Sequence, residues 1–297
     1  MGIVALACIV IIMAGIILGW NKRFGYVQML VFTNLLVFFV MVVGEAITDD
    51  VVLPELGARP VYLTTGERPW TILTHMFSHA SFVHVIGNVL FMFLIGVQLE
   101  YRVGRSRAFV IYFLSGLVAL FAESFILGLG SKVLMVGASG AVSGLIGAIF
   151  MLYPRDRIPM LLGPIFLLNV PVYLAAGGFL ATQLVLDLAS ISSGPAGGVA
   201  YGAHLAGFVA GMILAVALPR PVTRAREKAD LSTLEELATT DDLRAELERI
   251  KNETEPAVRD VWLEHFINRA KCPQCGEGMK LKGVKAVCRN GHEVRLR

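Results

Sequence analysis

Four polar residues stand inside apolar stretches of this chain: Ser139, His204, His84 and Asn88. A serine hydroxyl becomes a useful nucleophile once a base takes its proton, and histidine, titrating near neutrality, is the usual base. An acyl-transfer intermediate then needs donors for its oxyanion. The Asn88 amide, the His84 imidazole and the Ser139 backbone N–H are groups of that kind. His84 and Asn88 are four residues apart and share one helix face. Taken singly, each residue has a plain explanation: a membrane serine bonds back to its own helix, and a lone histidine bonds a neighbour. No aspartate is placed by sequence to orient His204, so helix packing has to do so.

A second constellation lies at the carboxyl end. Cys272 and Cys275, then Cys288 and His292, read C-x2-C-x12-C-x3-H, a ligand set of three thiolates and one imidazole suited to a tetrahedral zinc ion. A redox CxxC accounts for the first pair but leaves Cys288 and His292 without a role. The segment resembles a zinc ribbon, which implies a structural zinc. Its 27 residues from Lys271 carry seven basic and two acidic side chains. That charge suits anionic lipid headgroups or a cytosolic partner. Few aromatics accompany it, so nucleic acid is not an expected partner. His75, His79 and His84 carry no H-E-x-x-H pattern and are not read as a metal site.

The elements that position these residues follow from composition. Of 297 residues, 56% are hydrophobic and 16% charged, with a mean hydropathy of +0.68, which excludes an ordinary soluble globule. Of the 49 charged residues, 30 follow Leu218. A membrane-embedded part and a water-facing tail are therefore expected. Seven apolar stretches come near the roughly 20 residues that a spanning helix needs. They run over Ile3–Leu18, Tyr26–Ile47, Phe82–Leu99, Ala108–Gly128, Leu134–Tyr153, Val170–Ser190 and Val199–Leu218. At about 1.5 Å per residue, Ser139 and His204 fall about 7 Å inside the outer ends of their helices. His84 and Asn88 share that layer.

Lys22 and Arg23, then Arg102, Arg105 and Arg107, then Arg155 and Arg157 mark every second loop as basic, and Arg220, Arg224, Arg226 and Lys228 follow the last helix. That alternation puts the tail in the cytosol and the amino terminus outside. Gly140, Gly144 and Gly147 form a small-residue stripe below Ser139. Gly207 and Gly211 form another below His204, and such stripes let backbones approach closely. Beyond Pro219, Ser232 with Glu235 suggests a capping box, and Leu243, Leu247 and Ile250 a helix face. Val258, Trp262 and Phe266 would share the face of a further helix.

With these residues in place, the chain resembles the rhomboid family of intramembrane serine proteases. Gly137-Ala138-Ser139-Gly140 matches the family's G-x-S-G, and His204-Leu205-Ala206-Gly207 running on to Gly211 matches its H-x-x-G-x-x-x-G. His79, His84 and Asn88 match the spaced His, His and Asn of the oxyanion helix, and Gly96 with Glu100 matches its G-x-x-x-E. The likeness covers roughly Tyr26 to Leu218. It implies Ser139 as nucleophile, His204 as general base, His84 and Asn88 as oxyanion donors, no cofactor for catalysis, and transmembrane protein substrates cut near the outer face. Two departures stand out: Trp70 is followed by Thr71 where the family often has Arg, and Ser143 replaces an aromatic four residues after the nucleophile.

The expected architecture is an all-α membrane protein. Residues 1–25 form an anchor helix, 26–218 a six-helix core, 219–270 a cytosolic helical linker and 271–297 a zinc-ribbon-like module. The expected function is intramembrane serine endopeptidase in the cell membrane. Two rivals are a non-catalytic relative that binds membrane proteins, and an ion or proton carrier using Glu45, Glu123 and Asp187.

Overall fold

A computed structural model describes residues 1–21, 24–48, 50–162, 165–193, 201–219, 231–253, 256–282 and 285–295. The chain divides into two compact units, Met1–Pro219 and Arg220–Arg297.

The first unit begins with helices α1 (Ile3–Leu18) and α2 (Tyr26–Ile47), which pack together. α1 buries Val4, Ala5, Cys8, Ile12 and Gly15, a stripe at helical spacing. The following loop holds three short helices, α3 (Leu53–Leu56), α4 (Pro60–Thr65) and α5 (Thr71–Thr74), and a 3₁₀ turn at His75–Phe77. Next come α6 (Phe82–Phe91), a π turn at Met92–Gly96 and α7 (Val97–Val103), which form one continuous helical rod. Then follow α8 (Arg105–Leu127) and α9 (Ser139–Leu152). An antiparallel hairpin of β1 (Arg157–Leu162) and β2 (Ile165–Pro171) leads to α10 (Val172–Ser193), and α11 (Tyr201–Ala217) ends the unit.

This is an all-α membrane protein, its sheets confined to small accessory pieces. Among the described residues, three helical segments are long and apolar enough to cross a membrane: Tyr26–Ile47, Phe82–Val103 and Arg105–Leu127. Four further apolar helices are shorter. Helices meet the demands of hydrocarbon because each satisfies its own backbone hydrogen bonds. Phe39, Val83, Phe125 and Ile213 are each more than 60% exposed, an outward apolar surface that suits lipid.

α9 is the buried centre, with every residue from Ala141 to Ile149 inside. Its glycine stripe explains why. A Cβ on Gly207 would collide with the Gly140 carbonyl oxygen, and one on Gly211 with that of Gly144. The two backbones therefore touch, and no side chain fits between them. On the other flank Gly140 and Gly144 face Ala119 and Ser115 of α8.

Two expectations about boundaries change. The segment from Leu134 to Ala138 is not helical: Met135 forms a β-bridge with Ala58, and α9 starts at Ser139 itself. Ser139 thus heads its helix instead of lying a turn inside it, and His204 is on the first turn of α11. The hairpin was not foreseen, because Pro159, Pro164 and Pro171 interrupt an apolar run that reads as a helix start. Val199, expected to open the last span, lies outside the described residues.

Two carboxylates close helix ends in this unit. Glu100 accepts from the Tyr26 and Val27 N–H groups at 2.7 Å each, capping α2. Glu45 accepts from the Val52 N–H at 2.7 Å, at the entry to α3. The first loop is anchored despite Thr71 following Trp70. Trp70 Nε1 donates to the Glu55 carbonyl at 2.9 Å, and Arg68, on the other side of the Trp, donates to the Pro54 carbonyl at 2.9 Å.

The second unit holds a 3₁₀ turn at Leu231–Leu237, α12 (Asp241–Asn252), α13 (Pro256–Arg269) and a sheet of β3 (Met279–Lys282), β4 (Lys285–Cys288) and β5 (Glu293–Arg295). Thr240 caps α12 by accepting from the Leu243 N–H, and the Ser232 side chain of the expected capping box lies outside the described residues. The buried face of α13 is Leu263, Phe266, Ile267 and Ala270, with Val258 42% exposed. The face is therefore rotated by one position from the expected Val258–Trp262–Phe266 line. Trp262 instead receives the Arg249 guanidinium, 5.9 Å from its ring. Cys272, Met279, Ala286 and Cys288 share one core with Leu247, Ile250, Phe266 and Ile267, so the small sheet does not stand on its own apolar contacts.

Candidate active site

Ser139 and His204 meet. His204 Nε2 lies 2.7 Å from Ser139 Oγ, and both residues are half-buried. The approach of α9 and α11 at their glycines sets this distance, because a wider helix separation would pull the two side chains out of hydrogen-bond range.

The backbone just before the serine is held firmly. Gly137 has φ of 113°, a conformation closed to residues with a Cβ, and its N–H donates to the His75 carbonyl at 2.8 Å. The Ala138 N–H points at His79 Nε2, 3.4 Å away. The 3₁₀ turn at His75–Phe77 and the residues just beyond it thus act as a backstop for the Ser139 backbone. His75 Nδ1 is paired with the Thr71 carbonyl at 3.0 Å. These two histidines hold the loop, and the one Cys/His group among the described residues that could hold a metal ion is elsewhere.

His84 sits against this turn: a Cβ built on Gly137 would fall 2.6 Å from His84 Nε2. The imidazole edge therefore occupies the space a side chain at position 137 would take, two residues before Ser139. Asn88 is buried one turn below, and its Nδ2 donates to the His84 carbonyl at 2.8 Å. That leaves the amide's second N–H for another acceptor. As the first residue of α9, Ser139 also presents one of the four backbone N–H groups that a helix start leaves without an intrahelical acceptor. Ser143 turns its hydroxyl back to the Ser139 carbonyl at 2.7 Å.

One residue was missed by sequence reasoning. Gln183 of α10 places Oε1 2.7 Å from His204 Nδ1, so the imidazole is held from both sides. Its signal was available: a strongly polar amide in an apolar helix needs a partner. Glu123, on α8, accepts from the Ala203 N–H at 2.9 Å and so serves as a link between helices, as does Glu45. The Asp187 side chain lies outside the described residues.

In the second unit, Cys272, Cys275, Cys288 and His292 converge, their ligand atoms all within 4.8 Å of one another. Cys275 and Cys288 sulfurs are 3.7 Å apart, and His292 Nδ1 is 3.6 Å from both Cys272 and Cys288 sulfurs. A tetrahedral ion with Zn–S and Zn–N bonds of ordinary length needs edges of about 3.8 Å between sulfurs and about 3.6 Å from sulfur to nitrogen. The donor set fits. It does not fit a disulfide, whose sulfurs would be about 2.05 Å apart. Two tight turns present the ligands: the Gly276 N–H bonds the Cys272 carbonyl at 2.8 Å, and the Gly291 N–H bonds that of Cys288 at 3.1 Å. Burial acts to raise the Cys272 thiol, but hydrogen bonds at the backbone of Gln274 and Cys275 and from the neighbouring thiols outweigh it and hold it below its usual range.

A Rhomboid domain model matches residues 66–221. Over 182 residues the chain is 30% identical to RHOMBOID-like protein 5 of Arabidopsis thaliana, covering 61% of this chain and 53% of that one. It is 32% identical over 150 residues to Rhomboid-related protein 2 of Mus musculus, 49% of this chain and 47% of that one. It is 26% identical over 137 residues to Rhomboid protease GluP of Bacillus subtilis (strain 168), 46% of this chain and 26% of that one. The matched stretch spans about half or less of each of these relatives. A helical membrane protein carrying this domain belongs to the rhomboid family. The family model ends at residue 221, before the Cys/His segment.

Proposed function

We propose that the protein is an intramembrane serine endopeptidase in which Ser139 is the nucleophile and His204 the general base. The observation that carries this reading is the 2.7 Å separation of His204 Nε2 and Ser139 Oγ across two different helices. In the reaction, Oγ attacks the scissile carbonyl carbon while Nε2 takes the hydroxyl proton. The carbonyl oxygen becomes an oxyanion, received by His84, the free N–H of Asn88 and the Ser139 N–H. Collapse of the intermediate expels the amine, which takes the proton from His204, and leaves an acyl-serine. Water, deprotonated by the same imidazole, then attacks the ester, releases the acid and restores the hydroxyl. No cofactor enters. Oxyanion donors of this kind contribute roughly 3 kcal/mol each to lowering the barrier.

The substrates under this reading are transmembrane segments of other proteins, cut near the outer membrane face. The protein would lie in the cell membrane with seven spans: an anchor helix over 1–25 and a six-helix core over 26–218. A cytosolic linker over 219–270 and a ribbon over 271–297 would follow. The ribbon would hold a structural zinc through Cys272, Cys275, Cys288 and His292, which ties two turns of a small sheet together, and would serve for cytosolic docking.

The test is cleavage of a tagged transmembrane substrate in detergent by wild type, Ser139→Ala and His204→Ala. Loss of cleavage in both variants, with labelling of wild type but not Ser139→Ala by a fluorophosphonate, is the expected result. Equal labelling of wild type and Ser139→Ala would end the proposal. The use of Glu45 and Glu123 as acceptors for backbone N–H groups favours this reading over an ion carrier.

A further inference from the structure

We propose that Gln183 is a positioning residue whose side-chain oxygen holds His204 in the tautomer protonated at Nδ1, with its lone pair at Nε2 directed at Ser139. This rests on the reading of Ser139 and His204 given above and adds a third member to it.

The geometry is a chain of three side chains from three helices. Gln183 Oε1 on α10 lies 2.7 Å from His204 Nδ1 on α11, and His204 Nε2 lies 2.7 Å from Ser139 Oγ on α9. A neutral imidazole has one N–H and one lone pair. An amide oxygen can only accept, so the N–H has to be at Nδ1, and the lone pair is left at Nε2 where the serine proton must go. The reversed amide, with its NH₂ toward Nδ1, would put the ring proton on Nε2. His204 would then donate to Ser139 and could not act as its base.

The contact also fixes the ring's rotation. An imidazole held at one nitrogen alone can swing about its Cβ–Cγ bond, whereas bonds at both ends confine it to one plane. An aspartate does this in soluble triads, and a neutral asparagine does it in some cysteine proteases. Within a membrane a carboxylate is costly to bury, and a neutral amide gives the same acceptor without a charge. Gln183 is only half-buried and its helical neighbours Leu184 and Val185 are exposed, so the amide is turned inward while the faces beside it point away from the core.

The experiment uses the full-length protein in detergent. Its first readout is the ¹⁵N spectrum of imidazole-labelled protein, with the His204 signals assigned by their loss in His204→Ala. A proton on Nδ1 and a bare Nε2 in wild type is expected; a proton on Nε2 would overturn the proposal with no variant needed. The second readout is the rate of fluorophosphonate labelling of Ser139. Gln183→Met keeps length and removes the acceptor, and its labelling should fall by about 10-fold to 100-fold with loss of the single tautomer. Gln183→Glu keeps an acceptor at the same place, and should label within about threefold of wild type. Equal losses in both variants, or a wild-type rate in Gln183→Met, would overturn the proposal. Labelling that persists in Ser139→Ala would instead overturn the underlying assignment of the nucleophile, so the two failures are distinguishable.

Discussion

Glu123 Oε2 accepts the Ala203 N–H at 2.9 Å, so a carboxylate from α8 rests on the first turn of the helix that carries His204. A carboxyl oxygen there meets both the amides a helix start leaves open and the positive end of the helix dipole. It fixes the start of α11 from a third helix, beside His204. Glu123→Ala should therefore lower stability by about 1–3 kcal/mol and slow the labelling of Ser139. Glu123→Gln, which keeps an acceptor, should sit between the two. Thermal unfolding in detergent together with labelling rates checks this, and an alanine variant equal to wild type in both would refute the role.

Glu100 makes a comparable contact at the other side of the unit, where two N–H groups of α2 converge on its carboxylate. Charge-assisted bonds of this type are stronger than neutral ones. Glu100→Ala should cost roughly 2–3 kcal/mol, read as a lower unfolding midpoint, because two amides lose their acceptor at once. Retention of the wild-type midpoint would show that water replaces the carboxylate freely.

Gly211 tests the packing that sets the dyad distance. A Cβ there meets the Gly144 carbonyl, which is backbone and cannot rotate away. Gly211→Ala should separate α9 from α11, destabilise the protein by about 1–3 kcal/mol and reduce cleavage. Gly177→Ala is the matching control, since nothing lies within 4 Å of its position. Similar behaviour of the two variants would mean that the helices are not in tight register.

The Cys/His cluster predicts one bound zinc per chain, measured by elemental analysis after purification without added metal. Cys288→Ser should leave it substoichiometric. Chelation should make residues 256–295 more sensitive to trypsin, since Cys272 and Cys288 lie in the same core as α13. Metal content equal in wild type and Cys288→Ser would remove the site.

Much of this was legible in the chain itself. Ser139 and His204 announced themselves because polar groups in hydrocarbon need a reason, and the glycines at 140, 144, 207 and 211 announced where backbones would meet. The spacing of Cys272, Cys275, Cys288 and His292 requires only local turns to bring each pair of ligands together. Helix ends were less legible. The Leu134–Ala138 stretch is as apolar as a helix but pairs with Ala58, 77 residues away from Met135, and no window of sequence contains that partner.

Residue types and their periods settled the helical class, the apolar core and the candidates for chemistry, since burial of apolar groups and the cost of polar ones act on each segment separately. Tertiary packing alone decided that Ser139 heads its helix, that Glu123 closes the start of α11, and that the partner of His204 is an amide on α10. Those are meetings between side chains far apart in the chain, whose distances depend on how closely several helices approach, and that approach is a property of all their surfaces together.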